Sequence, residues 1–311
     1  MDENFETVRS TPEPSASPKN KTEEGVPPPA TKELNDRYPV VIEKAEDIDD
    51  RINGQITQEM RNLSVEDLEE RRKDLALRPQ LSSRTLTDTL VGVNQSPSYL
   101  WVGTDKVVGR TWEKPDSWAS EIDNRKGRIV EVAKDIIESD GSPMVMEHVF
   151  HHDKPSERIK LVGINGPVGP MYFAEDGTHR VAASMAAGLS EIPCSVKSIA
   201  YPVETIAMND EQVEDWQKKI NLGLIEGRIE DVLSERGIPM KKLIVNSEVL
   251  PWIRTTSQTD MIKISKAYLK LYPEGLDNLS IPKEALIDYT ANDYFMAGKW
   301  EEWKTKTQPS T

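Results

Sequence analysis

The stretch Met171-Tyr172-Phe173-Ala174-Glu175-Asp176-Gly177-Thr178-His179-Arg180-Val181-Ala182-Ala183-Ser184-Met185-Ala186-Ala187-Gly188 decides how the chain is read. Its first four residues are a short apolar run of the kind that forms a buried strand. The backbone then turns through Asp176-Gly177, and a helix is expected over 178–187. Gly188 ends it, because glycine adopts the left-handed conformation that follows a last helical turn. Ala182, Ala183, Ala186 and Ala187 keep two adjacent strips of the helix slim, so it can lie close to a sheet and hold its start rigid. That start offers backbone N–H groups without helical partners and the positive end of the helix dipole, which together attract anions. Gly177 lets a ligand approach the backbone, Thr178 can cap the helix or bond a phosphate oxygen, and Arg180 offers a fork of donors. His179 can donate to a phosphate or move a proton. An ordinary capped turn would account for Asp176 and Thr178 but not for a histidine followed by an arginine.

Working outward, Ile192-Pro193-Cys194-Ser195-Val196 supplies a strand after the helix, and Ile159–Ile164 supplies one before it. Gly163, Gly166 and Gly169 lie between strands as a loop; with no Gly-Lys-Ser/Thr beside them they make no phosphate-binding fingerprint. Met144–Phe150 reads as a further strand, separated from Ile159 by the polar loop at 152–156. Over 128–139, Ile129, Val132, Ala133, Ile136 and Ile137 recur at spacings of three and four, which predicts a helix, closed by the turn residues Asp140-Gly141-Ser142-Pro143. Tyr99–Val102 and Lys106–Gly109 read as strands around Gly103-Thr104-Asp105. This order of elements is α+β, a mixed sheet with packed helices.

At the edges the pattern changes. Residues 1–37 are rich in Pro, Ser, Thr, Glu and Lys and almost free of large apolar side chains, so a disordered N-terminal tail is expected. Residues 38–80 form a helical arm with Ile48, Ile52, Ile56, Met60, Leu63 and Leu68 at mostly helical spacing, and Ser64 with Asp67 starting a helix over 65–76. Residues 81–200 hold the anion-attracting helix start and are the expected nucleotide-binding domain. From 201 to 303 the region reads as mainly helical, with faces built on Val213, Trp216, Ile220 and Leu224, on Ile229, Val232 and Leu233, and on Met261, Ile264, Ala267, Tyr268 and Leu271. Residues 304–311 are a second expected disordered tail.

The chain has 311 residues and a formal net charge of -14. Such a charge repels nucleic-acid backbones unless a basic patch is segregated, which disfavours general nucleic-acid binding on electrostatic grounds. A local cluster of donors can still hold the phosphates of a small nucleotide. One cysteine cannot form an internal disulfide, which fits the cytoplasm, and no run approaches the roughly 20 apolar residues that cross a bilayer.

With those residues in view, the string Asp176-Gly177-Thr178-His179-Arg180-Val181-Ala182-Ala183, followed by Gly188-Leu189 and Glu191-Ile192-Pro193, resembles the signature of the ParB/sulfiredoxin superfamily. The resemblance spans about residues 126–197 and is densest over 175–196. It implies a ParB/sulfiredoxin-like sheet whose helix start binds the triphosphate of ATP or CTP, with or without Mg²⁺. Sulfiredoxins carry a catalytic cysteine where this chain has Thr178, and a hydroxyl cannot replace a thiolate in that chemistry. ParB partition proteins show Glu-Arg-Arg in place of Thr178-His179-Arg180 and follow it with a basic helical region, unlike the acidic helices after Tyr201. The free-serine kinase branch, with Asp-Gly-x-His-Arg, is the nearest local match. The implied function is a nucleotide-dependent phosphotransferase or NTPase in which Gly177, Thr178, His179 and Arg180 hold phosphate, His179 assists proton transfer, and Asp176 or Glu175 positions a metal or a substrate hydroxyl. Two alternatives stay open: a non-catalytic accessory protein that engages a protein partner through its acidic helices, and a ParB-like nuclease.

Three other groups have plainer readings. On a strand, His148 would share a face with Met146 and Phe150 while His151 shared the other with Glu147, so His148, His151, His152 and Glu147 would not converge and no metal set is assigned. Cys194 alternates with Ile192 and Val196 as a buried small hydrophobe. Arg110, Arg125, Lys126 and Arg128 form either a second cationic rim to the pocket or a solvated cluster.

Overall fold

In the computed structural model the described residues are 40–42, 46–76, 97–111, 125–139, 142–198, 204–206, 208–254 and 257–307. The expected tail over 1–37, the turn at Asp140-Gly141 and residues 308–311 lie outside them. In chain order the strands are β1 (Val40–Val41), β2 (Ser98–Gly103), β3 (Val107–Arg110), β4 (Lys160–Asn165), β5 (Pro170–Asp176), β6 (Glu191–Ser198), β7 (Glu204–Ile206), β8 (Ile225–Leu233) and β9 (Pro239–Glu248). The α-helices are α1 (Glu46–Gln55), α2 (Gln58–Arg61), α3 (Val65–Ala76), α4 (Lys126–Glu138), α5 (Pro143–Phe150), α6 (Thr178–Ala187), α7 (Asp210–Asn221), α8 (Gln258–Leu271), α9 (Lys283–Ile287), α10 (Tyr289–Met296) and α11 (Trp300–Thr307). The architecture is α+β, as expected.

The strand–turn–helix–strand unit forms where the sequence predicts it. Helix α6 spans Thr178–Ala187 and stops at Gly188, whose φ of 93° is left-handed and whose N–H returns to the carbonyls of Ser184 and Met185. Six strands make one mixed sheet in the order β1-β2-β6-β4-β5-β3, with β4 and β6 parallel, β3 and β5 parallel, and the other neighbours antiparallel. Strand β5 is buried on both faces. Tyr172 and Ala174 face a core shared with α1, α3, α4, α5 and α6, while Met171 and Phe173 face a second core built from the C-terminal half.

Ile48, Ile52, Met60, Leu68 and Leu75 belong to the first core, so the helices of the expected arm are packed against the sheet's helical layer. Ser64 and Asp67 exchange the capping-box hydrogen bonds, Ser64 N–H to Asp67 Oδ2 at 2.8 Å and Asp67 N–H to Ser64 Oγ at 3.1 Å.

Three expectations are corrected. Met144–Phe150 is helical, not extended: Pro143 stands at the first helical position, and Met146, Val149 and Phe150, three and four apart, point into the core. Ile229, Val232 and Leu233 lie on strand β8, which pairs with β9 in a three-stranded antiparallel sheet β7-β9-β8. The turn between them needs Gly237 at φ 73°, and Asp231 faces Lys241 across the pair as an ion pair at 2.5 Å. Lastly, residues 304–307 continue α11, where Lys304 pairs with Glu301 and Lys306 with Glu302 along the helix.

The glycines at 166 and 169 have a packing reason that the sequence did not disclose. A Cβ on Gly166 would sit 2.3 Å from the Tyr268 ring, and one on Gly169 would sit 2.5 Å from the Tyr272 hydroxyl. Tyr268 on α8 accepts hydrogen bonds from the N–H groups of Val168 and Gly169, and the hydroxyl of Tyr272 donates to the Pro170 carbonyl. The β4–β5 turn is thus the seat on which α8 docks.

Candidate functional site

Strand β5 delivers the chain to Asp176, and Gly177 turns it into α6 with φ 79°. Only glycine meets both demands there, because a Cβ would also sit 3.0 Å from Arg180 Nη2 and 3.1 Å from Ile159. Thr178 is the first residue inside the helix, not its cap, and its side chain is buried. No side chain among the described residues caps the start of α6. The uncapped start opens on a cleft of about 390 Å³ lined by Arg128 from α4, His148 from α5, and His151, Glu157, Asp176, Gly177, His179 and Arg180.

Arg180 lies one turn into α6 and is partly engaged by the protein itself. Its Nη1 donates to the carbonyls of Val149 at 3.1 Å and Glu157 at 2.8 Å, tying the end of α5 and the following loop to the helix start. His151, at the C-terminus of α5, takes the left-handed conformation at φ 52°, unusual for a residue with a side chain, and so turns that loop along the rim of the cleft.

Burial, reinforced by the nearby charges of Arg125, Arg128 and Arg110, holds the imidazole of His179 below its ordinary range. Of the four cationic residues singled out from sequence, Arg128 at the start of α4 lines the cleft; Arg125 and Lys126 beside it are exposed, and Arg110 is buried at the end of β3. Neutral at pH 7, His179 is a proton acceptor in a positive field. An anion in the cleft would offset that field and raise its affinity for a proton.

Of the residues singled out from sequence, Asp176, Gly177, His179 and Arg180 meet at the cleft. Asp176 accepts the Gly177 N–H through Oδ1 at 2.8 Å, and its Oδ2 lies 3.5 Å from Lys160 Nζ. Glu175 does not join them. One residue earlier on the strand, its side chain lies 3.6 Å from Lys197, in an adjoining depression with Lys160 and Ser195 that Asp176 also borders. Sequence reasoning missed His148 and His151 as lining residues, because the strand assignment for 144–150 gave them the wrong periodicity. No family model, curated protein or solved structure matches the chain, and no helix among the described residues is long and apolar enough to cross a membrane.

Proposed function

We propose that the protein binds a nucleotide, ATP or CTP, by its phosphates over Gly177 at the start of α6, and hydrolyses or transfers a phosphate there, in the manner of the ParB/sulfiredoxin-like proteins that its motif resembles. One observation carries the reading. In a chain of net charge -14, Arg128, His179 and Arg180 line one open cleft at the start of a helix, with the charges of Arg125 and Arg110 in electrostatic reach of His179. Donors fixed by a docked helix need little reorganisation when charge develops on a phosphate, which favours phosphoryl chemistry. Arg125 and Arg128 neutralise the phosphates, and Arg180 sets the shape of the floor. His179 accepts a proton, and Asp176 meets a metal ion or the acceptor hydroxyl.

Isothermal titration of the full chain with ATP, CTP and GTP, with and without Mg²⁺, tests this. Saturable binding that weakens in Arg128→Ala and at higher salt is expected; no binding by any of the three would remove the reading. A second reading, binding without turnover in an accessory protein, is favoured by the placement of Glu175, which leaves Asp176 as the one carboxylate of the motif at the cleft. Nucleotide binding with no phosphate release over hours would select it.

A further inference from the structure

A second convergence of polar side chains surrounds the chain reversal after α5, among residues that do not line the cleft. Glu147, His152 and Asp153 can each bring one ligand atom within 4.8 Å of the others. His152 is only 8 % exposed. Its Nδ1 lies 3.0 Å from Glu147 Oε2, yet it makes no hydrogen bond among the described residues. Oε2 already accepts the Asp153 N–H at 3.2 Å, and Glu147 Oε1 is buried with no hydrogen-bond partner among the described residues. Asp49 Oδ1 on α1 and the Tyr99 hydroxyl on β2 are also buried with no hydrogen-bond partner among the described residues, and both groups lie within electrostatic reach of Glu147 and Asp153. Buried polar atoms without partners are costly, so this many around one locus call for a shared one. A single water can satisfy two or three of them but brings no charge, and the one guanidinium at the locus among the described residues, Arg158, which donates to the His152 carbonyl and stacks on Tyr99, faces three carboxylates. A cation does both. Metal–ligand bonds of about 2.0–2.2 Å place adjacent ligands roughly 3 Å apart, the separation seen between His152 and Glu147.

We propose that Glu147, His152 and Asp153 bind one divalent transition-metal ion of the Zn²⁺ or Mn²⁺ class, with Asp49 and water completing its shell. The imidazole nitrogen among oxygen ligands disfavours Mg²⁺ and Ca²⁺, which take oxygen ligands. Asp153 is exposed and gives the ion a way in. The bound ion fastens the loop after α5 to α1. That loop also presents the Glu157 carbonyl that Arg180 holds, so the metal steadies one wall of the cleft without entering it.

The test uses the full chain, stripped with a chelator and titrated with Zn²⁺ alone and with Mn²⁺ alone, with no nucleotide present, so its outcome is independent of the proposed function. One ion per chain is expected for at least one of the metals, with a rise in Tm and at least a tenfold loss of affinity in Glu147→Gln and in Asp153→Asn. His148→Asn, on the cleft side, should bind as the unmodified protein does. Because Asp153 is exposed, Asp153→Asn should fold even if changes at the buried positions do not. Absence of saturable binding by both metals, or binding that neither Asp153→Asn nor Glu147→Gln weakens, overturns the proposal.

Discussion

Arg180 meets any ligand with one arm already engaged. Hydrogen bonds from a charged donor contribute about 1.5–3 kcal/mol each, and removal of this side chain leaves the carbonyls of Val149 and Glu157 to find water. Arg180→Ala should therefore lower stability by about 2–3 kcal/mol in urea denaturation, whether or not the cleft binds nucleotide. A change below about 0.5 kcal/mol would mean that those bonds do not form. His179 yields a prediction in pH. Its folded pKa lies below the ordinary 6.5, so the folded state binds fewer protons than the unfolded chain between the two values. Its contribution to stability is thus complete above about 6.5 and declines as the pH falls towards the folded value. Ring resonances in NMR should give a midpoint under 6.5 that climbs when phosphate or nucleotide is added; a midpoint that ignores both would argue against anion binding. The motif Asp176-Gly177-Thr178-His179-Arg180 was legible because each residue type has a distinct local role. Which side each faces was not: Glu175 and Asp176 look interchangeable in sequence, and only strand alternation separates them.

At the scale of elements, legibility followed periodicity. Helix α6 and strands β5 and β6 were readable because apolar runs and glycines agree on their limits. Helix α5 was misread because Met144, Val145, Met146, Val149 and Phe150 are nearly continuous, and so short an apolar run does not reveal its period. That error also hid Glu147 and His152 as possible neighbours. Strand β8 was missed because its apolar residues Ile225, Ile229 and Val232 fall four and three apart, a spacing that imitates a helix, although on the strand Ile229 and Val232 face opposite sides. The β4–β5 turn shows what periodicity cannot reach, since the reason for Gly166 lies a hundred residues away in Tyr268. Overpacking costs about 1–3 kcal/mol, and Gly166→Ala should lose roughly that much in chemical denaturation. The double variant with Tyr268→Ala, which vacates the space, should show a smaller penalty for the added methyl group; an undiminished penalty would separate the two sites.

The molecule as a whole is organised around a sheet whose strands β4 and β5 are buried on both faces. Ile164, Met171 and Phe173 sit under the C-terminal half, while Tyr172 and Ala174 sit under the helices that precede and follow them. A fragment ending at 203 would uncover the first set, and exposed apolar area of that kind drives association. Size-exclusion chromatography of residues 40–203 should therefore find aggregates or little soluble protein, whereas a well-behaved monomer would show that the C-terminal half is dispensable for the fold. Strand β5 also has an end in each half: Pro170 is held by the Tyr272 hydroxyl, and at the other end of the seven-residue strand Asp176 borders the cleft. The strand acts as a short stiff rod clamped at both tips. Tightening one clamp should damp motion at the other, so occupancy of the cleft is expected to slow hydrogen exchange at the Val168 and Gly169 amides, far from any ligand atom, as read by mass spectrometry.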